Sequence, residues 1–370
     1  MSRAGDWSRF AATAEAEREF RSRGLHLGQA FYVSRRGEVL LHAAAGERAP
    51  GRPLDVSSPM LWLSAGKPLT AALVCRLWQQ GLLELDRPVT DFLPEFTDAD
   101  RAGGPTTIRQ LLTHSAGLHE VDAGFDSRDW AGAVAAVCEA GPPAGWNPRT
   151  QGAYDKGASW FLLGEIAARV TGLSFAEALE REVLQRLKMD RTSNGRPIAE
   201  GRAAEVYQRS KGELVPSPRG DAATIAKPSP GGNTWGPVAD LGRFYEAMLA
   251  AIAGESSDLL DATTANAMVA RHRVGLFDEV LRHDIDFGLG VIVNSGIYGA
   301  DTVPYGYGEA ASRRAFGHGG AQSSIGFADP ETGLVVVVVA NTLAGEPQHQ
   351  RRNRTTLAAL EEDLRGLGVL

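Results

Sequence analysis

The run from Leu334 to Ala340, with five valines in succession, constrains this chain more than any other stretch. It is far too short to span a bilayer, and a β-branched run without polar alternation reads as a strand covered on both faces. Such a strand needs neighbours in a sheet and a packed layer on each side. The two ends of the chain supply candidates. Residues 27–34 (LGQAFYVS) and 38–45 (EVLLHAAA) are apolar runs separated by Arg35, Arg36 and Gly37, a hairpin signature. Towards the C-terminus FGLGVIVN and SSIGFAD read as two more strands around Gly and Pro turns, and residues 351–366 as a closing helix. Between these ends the patterning turns helical, in TTIRQLLTHSAGL, SWFLLGEIAARVTG, SFAEALEREVLQRLKMD and PVADLGRFYEAMLAAI. The expected organisation is therefore a discontinuous α/β domain (1–81 and 256–370) interrupted by a mostly helical domain (82–255), with a cleft between them.

Charge narrows the partners. The formal net charge is −7 with both signs scattered, so there is no basic face for nucleic acid and no polybasic anchor for a membrane; a small molecule is the expected ligand. Cys75 and Cys138 sit among apolar residues and read as two isolated buried thiols, which fits a reducing compartment. The segment MSRAGDWSRFAATAEAEREFRSRG carries charges throughout and lacks the apolar core of a secretory signal. It reads as an amphipathic helix with Phe10 and Phe20 inward, and the expected location is cytoplasmic.

Leu63, Leu69, Leu73, Leu77 and Trp78 recur at helical spacing up to Gly81, so a helix begins near Ser64. Three residues of separation put Ser64 and Lys67 on one face, about 5–6 Å apart at Cβ, within reach of hydroxyl and amine. A serine at a helix start also sits beside unsatisfied backbone N–H groups, which suit a developing oxyanion. For Lys67 to act as a base it must be largely neutral, and the apolar helix offers the burial that lowers an amine's pKa. An arbitrary Ser-x-x-Lys is more often an N-cap followed by a solvated lysine. Here the chain has only 5 lysines against 33 arginines, and this is its only Ser-x-x-Lys.

The order Ser64-Ala65-Gly66-Lys67, then LLTHSAGL at 111–118, then Tyr154, then Gly317-His318-Gly319-Gly320 before two C-terminal strands, resembles the serine β-lactamase-like superfamily. That group holds class C β-lactamases, D-Ala-D-Ala carboxypeptidases, carboxylesterases and antibiotic-pathway transacylases. The resemblance implies an α/β fold, an antiparallel sheet flanked by helices with an inserted helical domain. It implies Ser64 as nucleophile, Lys67 as activating base and Tyr154 as proton relay. His318, Gly319 and Gly320 would line the cleft, and the N–H of Ala321 would complete an oxyanion hole with that of Ser64. No cofactor or metal is implied. Lys156 stands where the family carries asparagine, and either pairs with a substrate anion and depresses its neighbours' pKa or is a plain surface lysine.

Other residues carry weaker readings. His318 replaces a lysine, and the hydroxyl that would grip a β-lactam or peptidoglycan carboxylate is missing, which disfavours both activities. Tyr298, Tyr305 and Tyr307 lie in the glycine-rich loop 296–316, which either covers the cleft with Trp146 and Trp235 or is an ordinary connection. His114 and Ser115 read as folding residues, while a rival places Ser115 at the nucleophile elbow of an α/β-hydrolase. His114 and His119 suggest a metal only weakly, since no third ligand stands at a recognisable spacing. The expected function is acyl transfer from a small-molecule donor, an ester or amide, to an amine or alcohol acceptor, with carboxylester hydrolysis as the alternative. A non-catalytic binding module is the reading from a different class.

Overall fold

The computed structural model describes residues 6–98 and 104–370. Residues 1–5, the head of the expected first helix, lie outside the described residues. Helix α1 (Ala11–Ser22) buries Phe20, and Phe10 just ahead of it is fully buried, so the inward pair is as the pattern predicts. Its first turn is held from the far end of the chain. The Asp363 carboxylate accepts from the N–H groups of Ala12 and Thr13 and from the Thr13 hydroxyl, supplying partners that a helix start lacks internally.

Strands β1 (Gly28–Arg35), β2 (Glu38–Ala49) and β3 (Arg52–Pro53) open the chain. Five more come from its last third: β4 (Asp286–Phe287), β5 (Ile292–Val293), β6 (Phe316–Gly320), β7 (Ser324–Asp329) and β8 (Leu334–Ala340). They form one antiparallel sheet in the order β4-β5-β6-β7-β8-β1-β2-β3. The valine strand β8 sits centrally, with Val338 opposite Phe31 and Val336 opposite Val33 on β1. Those four residues belong to one core, shared with Leu357, Leu360 and Leu364 of α9 (Glu346–Gly366). Val335, Val337 and Val339 point the other way, into a core with Leu241, Phe244 and Tyr245 of α7 (Val238–Ile252). The period-2 alternation of a strand thus feeds two apolar layers, which is why β8 carries no polar face.

The same inner core runs on through α2 (Lys67–Gln79), α4 (Trp130–Ala140), α5 (Ala158–Thr171), α6 (Phe175–Leu179) and α8 (Ala262–Val269). The short α3 (Ile108–Leu112) ends where the left-handed His114 turns the chain towards the sheet. One expected strand divides: FGLGVIVN forms the two-residue strands β4 and β5. Gly290 turns back at φ +71°, and the Gly288 N–H closes the turn on the Val291 carbonyl. No helix among the described residues is long and apolar enough to cross a membrane.

Candidate active site

Ser64 is presented by strain and tethering rather than by a simple helix cap. Leu63, immediately before it, is held in the left-handed region at φ +49°, where a branched side chain is unfavourable. The neighbouring backbone is pinned, with the Trp62 N–H on the Thr234 carbonyl and the Ser324 hydroxyl on the Trp62 carbonyl. From there Leu63–Gly66 form a 3₁₀ turn that runs into α2 at Lys67. A 3₁₀ turn eclipses residues three apart. That geometry sets Lys67 Nζ 3.2 Å from Ser64 Oγ.

Lys67 is fully buried, and loss of water pulls its amine down to about 7 from 10.5, with Asp155 pulling weakly the other way. Two of its contacts are carbonyls, Gly231 O at 2.6 Å and Lys156 O at 2.9 Å. A neutral amine has two N–H donors and one lone pair. With both donors on carbonyls, which only accept, the lone pair is directed at the third neighbour, the Ser64 hydroxyl. Gly231 makes this possible, since a Cβ there would stand 2.8 Å from Lys156 O and 3.1 Å from Lys67 Nζ. The Lys156 side chain itself is exposed, so the residue serves Lys67 through its backbone.

Tyr154 closes the group. Its ring lies 5.4 Å from Lys67 Nζ and 5.8 Å from the His318 ring. Burial raises the phenol well above its usual pKa, and hydrogen bonding with Ser64 offsets part of that rise. Its backbone is fixed from three directions. Ala153 N–H donates to His114 O, Tyr154 N–H to the Asp278 carboxylate, and Asp155 N–H to His114 Nδ1. Arg273, buried, binds both Asp278 (2.7 Å) and His114 O (2.9 Å) and so locks the two supports together. His114 thus holds the site's backbone, in keeping with its reading as a folding residue. Sequence reasoning missed Arg273, Asp278 and Gly231, because none lies in a motif and each meets the site only through tertiary contact.

On the sheet side, His318 is buried and neutral, its pKa pushed down to about 3 by burial and by Lys67. Its Nδ1 lies 2.7 Å from the Gly319 carbonyl, so Nδ1 carries the proton and Nε2 is left as an acceptor. Gly320 packs directly against the nucleophile turn: a Cβ would fall 2.2 Å from Trp62 O and 3.1 Å from Leu63 Cβ. Ala321 follows at the exposed start of the next turn. Tyr305 packs against Gly319, where a Cβ would meet its ring at 1.8 Å.

Of the remaining candidates, Trp235 packs in a cluster with Leu63, the residue before Ser64. Trp146 is buried under Gly117 with its N–H on Ser115 O, and Trp235 is buried with its N–H on Asn233. Tyr307 donates to Ile292 O and stacks on Phe327, while Tyr298 donates to Asp286. Ser115 follows a helix and its hydroxyl bonds to Thr113, with no strand leading into it. The antiparallel sheet is likewise unlike the α/β-hydrolase arrangement, so that rival falls.

The beta-lactamase family model matches residues 13–361. The chain belongs to the beta-lactamase family. Within this family it is similar to Esterase EstB of Burkholderia gladioli, 28% identical over 360 residues that cover 85% of this chain and 86% of the relative. ML-236A carboxylate methylbutanoyltransferase of Penicillium citrinum is 26% identical over 157 residues, covering 36% of this chain and 37% of that protein. The fold is that of the solved structure of EstCE1, a hydrolase with promiscuous acyltransferase activity, with a TM-score of 0.79 at 22% identity, covering 95% of this chain and 98% of the other. Membership in this family of serine hydrolases and acyltransferases supports an enzyme.

Proposed function

We propose that the protein is a carboxylesterase that forms an acyl-enzyme on Ser64. The observation that carries this reading is the fully buried Lys67 amine, held on two backbone carbonyls with its Nζ 3.2 Å from Ser64 Oγ. Lys67 takes the Ser64 proton as Oγ attacks the ester carbonyl carbon, and the N–H groups of Ser64 and Ala321 receive the oxyanion. Tyr154 keeps its own proton at rest, because burial raises its pKa, so it relays rather than initiates. It delivers a proton to the departing alkoxide while recovering one from Lys67, and the C–O bond of the ester breaks. Water then attacks the acyl carbon, the Ser64 C–O bond breaks, and the acid leaves as Ser64 regains its proton.

A second reading, transfer of the acyl group to an amine or alcohol, draws support from the similarity to the methylbutanoyltransferase. The esterase relative matches along 85% of this chain against 36% for the methylbutanoyltransferase, and the Lys156 side chain is exposed and meets Lys67 only through its carbonyl. Hydrolysis is therefore placed first. Strand β6 offers no cation for a β-lactam carboxylate, with His318 neutral, so β-lactams are not the proposed substrates. The test is to supply a simple acyl ester with and without a panel of amines and alcohols and to quantify acid, amide and new ester by mass spectrometry. Acid is the expected major product, with a single phosphonate adduct that vanishes in Ser64→Ala. Amide or ester as the major product moves the protein to the second reading, and an adduct that survives in Ser64→Ala overturns both.

A further inference from the structure

Hydrogen-bond acceptors and a carboxylate stand near strand β6, next to the nucleophile turn. Glu346, in the first turn of α9, accepts from the Tyr305 hydroxyl at 2.6 Å and from Gln350 Nε2 at 2.7 Å, both on Oε1. Oε2 has no hydrogen-bond partner among the described residues, and Glu346 forms no ion pair among them. Two links tie this carboxylate to the strand that packs on the nucleophile turn. Tyr305, its donor, lies against Gly319 of β6. The backbone just before it is tied to the turn that follows β6, with the Gly345 N–H on the Gln322 side chain and the Ala344 N–H on the Gln322 carbonyl. Gly320, at the end of β6, packs on Trp62 and Leu63, next to Ser64. The charge of Glu346 is felt at the Tyr154 hydroxyl, which it helps hold protonated.

A second, separate observation comes from His318. Its ring is 1% exposed and faces Tyr154, and its Nε2, the acceptor nitrogen, has no protein partner. A buried lone pair without a donor costs on the order of 1–3 kcal/mol, and a ligand donor reaching it recovers that cost. The buried Arg352 of α9 is turned onto the carbonyls of Leu25 and Gln322.

We propose that Glu346 Oε2 and His318 Nε2 form an acceptor subsite beside Ser64 that recognises a protonated primary amine, so that the preferred substrates are esters whose acyl portion carries an ammonium group. The proposal rests on the Ser64 acyl-enzyme reading. A carboxylate in the same place meets Glu346 and an unprotonated imidazole and is repelled.

The test compares three matched series of ethyl esters, two to six carbons long: ω-amino acids, unsubstituted alkanoic acids, and monoesters of dicarboxylic acids. Hydrolysis is followed by mass spectrometry at pH 7.5. For at least one chain length kcat/KM is expected to be tenfold or more higher for the ammonium ester than for its neutral counterpart, with the carboxylate ester lowest. In Glu346→Gln, whose amide oxygen keeps both hydrogen bonds, the ammonium-to-neutral ratio is expected to fall towards one. In the unaltered protein the ratio should shrink between 20 and 500 mM salt, because an ion pair open to solvent is screened. A ratio at or below one at every length, a ratio unchanged in Glu346→Gln, or one insensitive to salt overturns the subsite while leaving the esterase reading standing. Failure of all three series to acylate Ser64 overturns the esterase reading, and the subsite with it.

Discussion

Replacing Lys67 by alanine tests the chemistry where it is most exposed to refutation. With its pKa lowered to about 7, the Lys67 amine is roughly half neutral at pH 7, against about one part in 3,000 for an ordinary lysine. The acylation rate should therefore climb with pH along a single ionisation near 7, about tenfold from pH 6 to its plateau above pH 8. Stopped-flow release of nitrophenol from an activated ester, at constant ionic strength from pH 5.5 to 9, reads this directly. Lys67→Ala should lower the plateau by about 10²–10⁴-fold and remove the inflection. The same shift has a thermodynamic face. Between about 7 and 10.5 the unfolded chain binds a proton at Lys67 that the folded chain does not, so stability rises with pH there by about 1.4 kcal/mol per unit from this group. Its contribution is complete above 10.5 and lost as pH falls through 7. A flat acylation profile from pH 6 to 8, or an inflection that persists in Lys67→Ala, would refute the assignment of Lys67 as base.

Two further outcomes follow from burial. Gly319→Ala places a methyl group 1.8 Å from the Tyr305 ring and should cost about 1–3 kcal/mol in urea unfolding, recovered in part by Tyr305→Ala; no loss would mean the ring yields freely. His26, His114, His318 and His349 are buried with pKa values held below 6.5, chiefly by desolvation, to about 4 for His26 and about 3 for His318. As pH falls below 6.5 the unfolded chain takes up protons that these rings refuse, so their stabilisation is full above 6.5 and lost below it, by up to about 1.4 kcal/mol per unit for each. The melting temperature should drop steeply between pH 6.5 and 4, and a level curve over that range would contradict the burial of these rings.

What the sequence disclosed about this protein is what chain connectivity encodes locally. The valine run required two covering layers, and β8 has them; Ser64 and Lys67 were adjacent because three residues of helical turn make them so, whatever surrounds them. FGLGVIVN failed as one strand because Gly288 and Gly290 permit a turn that apolar content alone does not reveal. Lys156 shows a deeper limit. Its side chain invited an electrostatic reading, yet the atom that reaches Lys67 is its backbone carbonyl, which any residue at 156 would supply. The same holds for Gly231, whose role is a carbonyl and the absence of a Cβ. A sequence motif names side chains, whereas the protonation state of this lysine is set by two backbone oxygens and by the exclusion of water. The step from motif to base therefore depended on burial that only the folded chain defines. The neutrality of His318 is of the same kind: the residue type leaves its charge open, and the packed sheet decides it.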